Sequence, residues 1–154
     1  MRRLLVVIVT LALATLSACG DDDEPSGSPS GAGFAGQADA ACKSTNATLM
    51  TAVSSPASTQ QFQTVDDTLQ NLLRRIDDLV PSDAEQDHVY QLLDGYRAID
   101  KAAQTAAQSL ASDDDPGTAS ATFVSAVSAP KAAITTAAQA LSIPDCADPP
   151  LPGS

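Results

Sequence analysis

The chain has 154 residues, a formal net charge of −11 and only five aromatic side chains. This length accommodates one ordinary domain. The acidic balance excludes direct binding to nucleic acid, because there is no basic stripe to neutralise phosphates, and it excludes polybasic docking on anionic lipid. Beyond residue 18, Leu, Ile, Val and Phe make up only about 17% of the residues and the net charge is −13, a composition close to that of disordered chains.

The N-terminus has the pattern of an export signal. Arg2 and Arg3 precede an apolar stretch over residues 4–16 that is too short to span a membrane. The Leu-Ser-Ala-Cys run at residues 16–19 resembles a bacterial lipobox. The resemblance implies that residues 1–18 are a signal peptide, that Cys19 carries a diacylglyceryl group, and that this lipid anchors the protein to the outer face of the cytoplasmic membrane. Two acyl chains give stable anchoring where a single chain does not.

Two segments have the composition of disordered chain. Residues 19–33 are rich in Gly, Ser, Pro and acidic residues, so we predict a disordered tether that follows the lipidated cysteine. Residues 20–33 would have an r.m.s. reach of roughly 20 Å as a flexible coil. Residues 147–154 are rich in Pro, and we predict a second disordered end there.

The intervening residues, 34–146, have the 3.6-residue apolar period of four amphipathic helices. The predicted spans are about 36–54, 59–79, 83–111 and 118–142. No stretch alternates in the manner of a strand. The sequence therefore predicts an all-α domain.

Capping and proline residues mark the helix boundaries. Ser58 and Ser82 each begin a capping-box pattern, Pro116 suits a first helical turn, and Pro144 closes the fourth helix. Pro130 lies inside the fourth helix on its apolar stripe. It predicts either a kink or two short helices, with a small gap in the core beside it.

Short connections make successive helices antiparallel, so we predict an up-down-up-down four-helix bundle. The start of the first helix and the end of the fourth then lie at the same end, which brings Cys42 close to Cys146. An exported chain meets an oxidising compartment, and we predict a Cys42–Cys146 disulfide. Two free thiols or a metal site are the alternatives, and a metal site is disfavoured because the chain has one His.

Four short motifs within the domain resemble a group of small lipoproteins from high-GC Gram-positive bacteria. They are Ala-Asp-Ala-Ala-Cys at 38–42, Asn-Ala-Thr-Leu at 46–49, Leu-Val-Pro at 79–81 and Ile-Pro-Asp-Cys at 143–146. The resemblance implies a helical, disulfide-closed exported domain and supplies no activity. Members of the group usually carry Gly near the end of the last helix, where this chain has Ser142.

Candidate catalytic or metal-binding residues are few. Glu85 and His88 form a Glu-x-x-His pair, but di-metal bundles need a second such motif and further inward Glu residues, and the capping box already explains Glu85. No nucleophile pairs with the single His. We therefore predict no catalytic, metal or cofactor site. Asp94, Arg97 and Asp100 on the third helix are interpreted as members of surface ion pairs.

These observations favour a non-enzymatic interaction module of the cell envelope, whose partner is an unknown envelope protein or wall component. The alternative is a carrier of a small apolar ligand between the helices, which the many Ala residues and Pro130 suggest. That alternative requires an enclosed apolar cavity of roughly 300 Å³ or more.

Overall fold

The computed structural model of the protein describes residues 33–54 and 57–153. Its helices are α1 (Phe34–Val53), α2 (Thr59–Asp77), α3 (Gln86–Ala111), α4 (Pro116–Leu141) and the short α5 (Pro144–Ala147). The four long helices pack antiparallel in chain order, which confirms the predicted all-α bundle. The predicted signal peptide, Cys19 and nearly all of the predicted tether lie outside the described residues.

One apolar stripe on each long helix faces the core. The stripes of α2 and α3 each bury five large apolar side chains, which on α2 are Phe62, Val65, Leu69, Leu72 and Ile76. The stripes of α1 and α4 each include three buried Ala residues: Ala38, Ala41, Ala52, Ala119, Ala137 and Ala138. Because hydrophobic stabilisation scales with the apolar area buried, the face of α1, whose only large apolar members are Phe34 and Leu49, contributes less than the face of α2.

The pair Phe62 and Phe123 joins α2 to α4 across this core. The ring centroids are 5.0 Å apart and the planes are tilted by 58°. Aromatic pairs prefer such tilted arrangements over a face-to-face sandwich. This contact supplies part of the apolar surface with which α4 packs against the core.

Side-chain caps begin α2 and α4 close to the predicted positions. The Ser58 hydroxyl accepts a hydrogen bond from the Gln61 backbone N–H at 3.1 Å, and the Asp115 carboxylate accepts one from the Thr118 N–H at 2.9 Å. Each bond satisfies an otherwise unpaired N–H of a first turn. The Gln61 side chain donates to the Ala52 carbonyl at 2.9 Å, so it ties α2 to the end of α1.

The helix α3 begins at Gln86, three residues after the predicted start. The Glu85 carboxylate accepts hydrogen bonds from the Ser82 N–H at 2.8 Å and from the Ser82 hydroxyl at 2.6 Å. The Glu85 N–H donates to the Ser82 carbonyl at 2.9 Å. The Ser82 hydroxyl is thus a donor, whereas a capping box needs it as an acceptor, and these bonds close a turn ahead of the helix.

The helix α4 continues through Pro130, so the prediction of two short helices is wrong. On the facing side of α3, a Cβ at Gly95 would lie 2.5 Å from Cγ1 of Ile134 and 3.3 Å from the Pro130 carbonyl oxygen. Only a residue without a side chain fits this spacing. The two helices therefore approach closely beside Pro130, at the place where the sequence suggested a gap.

The helix α4 ends in a Schellman motif. The Ile143 N–H donates to the Ala138 carbonyl at 3.0 Å and the Ser142 N–H donates to the Gln139 carbonyl at 3.2 Å. Ser142 has φ 57° and ψ 42°, a left-handed conformation that Gly adopts without steric cost. Ser142, the residue at which this chain differs from the lipoproteins that it resembles, thus occupies a position that favours Gly.

The residues after α4 pack onto the bundle. The Asp145 N–H donates to the Asp39 carboxylate at 2.7 Å, and the Asn46 side chain donates to the Asp145 carbonyl at 2.6 Å. Lys131 forms an ion pair with Asp148 at 2.9 Å. The side chain of Leu151 is part of the core. These contacts correct the predicted disordered end for residues 147–153, because one buried leucine and several polar contacts hold that segment.

The predicted Cys42–Cys146 disulfide is present, and both cysteines are fully buried. The Tyr96 hydroxyl donates to the Cys146 carbonyl at 2.9 Å and lies 3.8 Å from the Cys42 sulfur. Burial raises the pKa of Tyr96, so the phenol remains a donor. The bridge and this hydroxyl connect α1, α3 and α5 at one place.

Reduction of the disulfide is expected to lower the melting temperature by more than about 10 °C, because each 1 kcal/mol shifts the melting temperature of a domain this size by several degrees. The bridge spans a sequence separation of 104 residues, for which chain entropy predicts about 4 to 5 kcal/mol. Thermal unfolding followed by circular dichroism, with and without reductant, measures the effect. A Cys42→Ala/Cys146→Ala variant that melts within a few degrees of the oxidised protein would show that the core is sufficient alone.

Replacement Ser142→Gly is expected to raise the free energy of unfolding by about 0.5 to 1 kcal/mol, because the left-handed conformation is disfavoured for residues with a Cβ. Urea denaturation measures the change. The matched control is Ser112→Gly, which makes the same substitution at the C-terminal cap of α3, where φ is −97°. Destabilisation by Ser142→Gly as large as that by the control would contradict the explanation.

Candidate functional site

The Glu85 and His88 pair is not assembled into a metal site. The hydrogen bonds from the Ser82 side chain and backbone occupy the Glu85 carboxylate and lower the pKa of Glu85, while His88 is half-buried. Within residues 33–54 and 57–153, no group of three His, Cys, Asp or Glu side chains is placed to hold a metal ion.

The interpretation of the charges on α3 is confirmed for one pair and wrong for Asp100. Arg97 lies 3.1 Å from Asp94, as expected, and 4.0 Å from Asp77 at the end of α2. The carboxyl group of Asp100 faces that of Asp66 on α2, and the two groups are close enough for each to shift the pKa of the other. This pair of carboxyl groups between two helices was not predicted from the sequence.

Amide side chains surround this carboxyl pair. Gln104 donates to Asp66 at 3.0 Å and to Asp100 at 3.2 Å, and Gln70 donates to Asp66 at 2.7 Å. The other Asp100 oxygen, Oδ1, is buried and has no hydrogen-bond partner among the described residues. No cation of the described residues forms an ion pair with either carboxyl group within 4.0 Å.

The two carboxyl groups have opposite pKa shifts. Burial raises the pKa of Asp100 to about 7, and the hydrogen bond to Asp66 and the Asp66 charge add to the effect. Burial also opposes ionisation of Asp66, but hydrogen bonds from Asp100, Gln104 and Gln70 outweigh it and lower the pKa of Asp66. Of the two carboxyl groups, Asp100 is therefore the one that keeps its proton to the higher pH.

An apolar depression of the surface lies between α3 and α4. It has a volume of about 240 Å³ and is open to solvent, and its lining includes Ala102, Ala106, Phe123 and Ala126. The carrier alternative required an enclosed apolar cavity of roughly 300 Å³ or more. This groove is smaller than that and is not enclosed.

The connection between α2 and α3 exposes apolar side chains, and we refer to residues 77–90 as the α2–α3 tip. Val80 is 89% exposed and Tyr90 is 61% exposed. Beside them, Leu79, Pro81 and Tyr90 help to line a pocket of about 190 Å³. Single exposed apolar residues are common on protein surfaces, but Leu79, Pro81 and Tyr90 share one small pocket, and Val80 lies between two of them in the chain.

The α2–α3 tip is acidic. Residues 77–90 contain five Asp or Glu residues and no Lys or Arg. Among the described residues, Arg97 is within ion-pair distance of Asp77, whereas Asp78, Asp83 and Asp87 have no ion pair. The apolar side chains of the tip therefore lie within a field of uncompensated negative charge.

The tip lies at the end of the bundle where α1 begins. Near the start of α2, Gln61 contacts Ala52 close to the end of α1. Near the end of α2, Arg75 donates to the Ser44 hydroxyl at 2.7 Å. Because the two helices are antiparallel, the connection after α2 projects toward the end that carries Phe34. The predicted tether joins the domain at that same end.

Comparison with known proteins adds no relative. No family, no curated protein and no solved structure matches the chain. Within the described ranges, no helix combines the length and the apolar character needed to cross a membrane.

Replacement Asp100→Asn is expected to make the protein more stable at pH 8 and to flatten its stability between pH 4 and pH 7. A carboxyl group whose folded pKa is raised stabilises the fold fully below its unfolded pKa of about 3.9, and that contribution is lost as the pH rises to its folded pKa, here about 7. The Asn amide donates to Asp66 at every pH. Melting temperatures at pH 4, 5, 6, 7 and 8 measure the effect.

The control variant is Asp67→Asn, which removes the same charge from an exposed position on α2. It accounts for the general relief of repulsion in a chain of net charge −11. An identical pH dependence in the Asp67 and Asp100 variants would contradict a specific role for the Asp66–Asp100 pair.

Proposed function

We propose that the protein is a membrane-anchored, non-enzymatic lipoprotein of the bacterial cell envelope that acts as an interaction module for an envelope protein or wall component. The observation that supports this most directly is the α2–α3 tip, where Val80 and Tyr90 are exposed to solvent at the end of the bundle that the predicted tether joins. Tyr90 also lines a small pocket there, and exposed apolar side chains beside a pocket are typical of contact surfaces.

The disulfide supports a location outside the cytoplasm. Disulfides persist in oxidising compartments and are rare where thiols are kept reduced. Cys42–Cys146 is a buried structural bridge. This agrees with the export signal and the lipobox of the N-terminal sequence.

The lipid on Cys19 would restrict the domain to the membrane surface, and residues 20–33 would let it reach roughly 20 Å from that surface. Such tethering raises the effective concentration of the domain for partners on the same membrane. A weak contact surface then suffices.

Replacement Cys19→Ser tests the anchor and the interaction together. We expect the variant to lose signal-peptide cleavage and membrane association, because the acylated sulfur is the substrate of processing. Chemical crosslinking of intact cells should capture a reproducible envelope partner with the native protein and much less of it with the variant. The measurements are membrane fractionation and mass spectrometry of the crosslinked products.

A Ser17→Ala variant, which keeps the cysteine and a small residue before it, is the matched control and should behave as the native protein. Unchanged processing and membrane association of Cys19→Ser would refute the anchor. Repeated failure to capture any partner of the anchored protein with crosslinkers of several lengths would refute the interaction module.

A further inference from the structure

We propose that the α2–α3 tip docks a basic protein segment that places one apolar side chain in the pocket beside Leu79, Pro81 and Tyr90. This inference rests on the proposed function, since it names the chemistry of the partner that the interaction module binds. It is carried by three features of the tip: its exposed apolar side chains, the size of its pocket and its unbalanced charge.

The exposed side chains define where contact is made. Val80, at 89% exposure, and Tyr90, at 61%, are two of the three large apolar residues that are exposed among the described residues, and the third, Met50, lies at 56% toward the opposite end of the bundle. Burial of a Tyr side chain supplies a large contact area at a small entropic cost. A partner that covers Val80 and Tyr90 therefore gains most of the apolar area that this surface offers.

The volume of the pocket limits the size of the group that a partner can insert. Its volume is about 190 Å³, whereas pockets for drug-sized ligands span about 300 to 1,000 Å³. Its apolar walls come from Ile76, Leu79, Pro81, Val89, Tyr90 and Leu93, and the side chains of Asp77 and Gln86 add polar walls. The space suits one aliphatic or aromatic side chain of a partner protein, which is the usual form of an interface anchor.

The charge of the tip selects the partner. Five carboxylates and no Lys or Arg lie within residues 77–90, and Asp83 and Asp87 face solvent. Complementary positive charge steers encounter and suppresses wrong partners. A segment with Lys or Arg on both sides of an apolar residue satisfies the carboxylates and the pocket at the same time.

The same charge disfavours two other occupants. An anionic membrane surface attracts basic segments and repels a tip that carries five carboxylates. A second copy of this chain is also disfavoured, because each copy without residues 1–18 carries a net charge of −13 and would bring like charges together. A basic protein segment is the occupant that the observations favour.

Site-specific photocrosslinking of the full chain in its native cells tests the inference. The photoreactive residue benzoylphenylalanine replaces Tyr90 in one strain and Met50 in another, since both side chains are exposed and they lie toward opposite ends of the bundle. We expect position 90 to form adducts with a protein segment that contains Lys or Arg around an apolar residue. Mass spectrometry identifies the crosslinked segment.

Second-site variants test each feature of the tip. Val80→Ser, and separately Asp83→Asn/Asp87→Asn, should lower the adduct yield from position 90 by about tenfold, the size of effect expected for a central contact of an interface. Asp67→Asn/Asp113→Asn removes the same charge from exposed positions outside the tip and should leave the yield unchanged. All of these positions are exposed, so the substitutions are expected to preserve the fold.

Several outcomes would overturn the inference. These are adducts from position 90 to lipid, to a second copy of the chain or to an acidic or uncharged segment, and a yield that the tip variants do not change. Adducts from position 50 without any from position 90 would reject the tip while the interaction module stands. Absence of adducts from both positions, together with no chemically crosslinked partner, would reject both proposals.

Discussion

The Cys42–Cys146 disulfide, with the Tyr96 hydroxyl bonded to the Cys146 carbonyl, is the constraint on which the rest of the structure depends. It joins the first helix to the segment after the last one, so it closes the bundle at the end where the folded chain begins and finishes. Most of the chain lies inside the closed loop. The entropy that the bridge removes from the unfolded chain is correspondingly large.

This closure matters because much of the core consists of small Ala side chains. Alanine is the best helix former, so Ala-rich α1 and α4 form easily as helices, but each buried Ala gains little hydrophobic free energy. Five large apolar side chains are buried on each of α2 and α3, four on α4 and two on α1. The composition is close to that of disordered chains, and cross-linking of the termini supplies stability that the Ala-rich faces do not.

The parts of the fold that follow from periodicity were predictable, and so was the disulfide, because antiparallel order alone brings Cys42 and Cys146 to one end. Features that depend on contacts between helices were not predictable. The space beside Gly95 is limited by the Pro130 segment of the facing helix, and no local sequence pattern predicts which segments of two helices meet. Residues 147–153 are ordered because Leu151 is part of the core. The proline content of this segment had instead suggested a disordered end.

The contact between α2 and α3 shows the same limit for the candidate site. Asp66 and Asp100 directly follow Val65 and Ile99 on the apolar stripes of the two helices, which places both carboxyl groups at the margin of the buried face. That position is a usable signal, but whether the two carboxyl groups face each other depends on the register between the helices. Tyr90 lies off the apolar stripe of α3, in agreement with its exposure, whereas the pocket beside it requires the turn that Ser82 and Glu85 close.

The helices α2 and α3 thus carry two groups of carboxylates with different physical consequences. Asp66 and Asp100 face each other between the helices and the pKa of Asp100 is raised, so its ionisation changes the free energy of the fold. The tip carboxylates face solvent, so their charge acts on what approaches. Asp66 and Asp77 are eleven residues apart on α2, about 16 Å along a helix axis, which exceeds the screening length of about 8 Å at physiological salt. Protonation of the inner pair therefore adjusts stability and leaves the field of the tip, and with it the choice of a basic partner, almost unchanged.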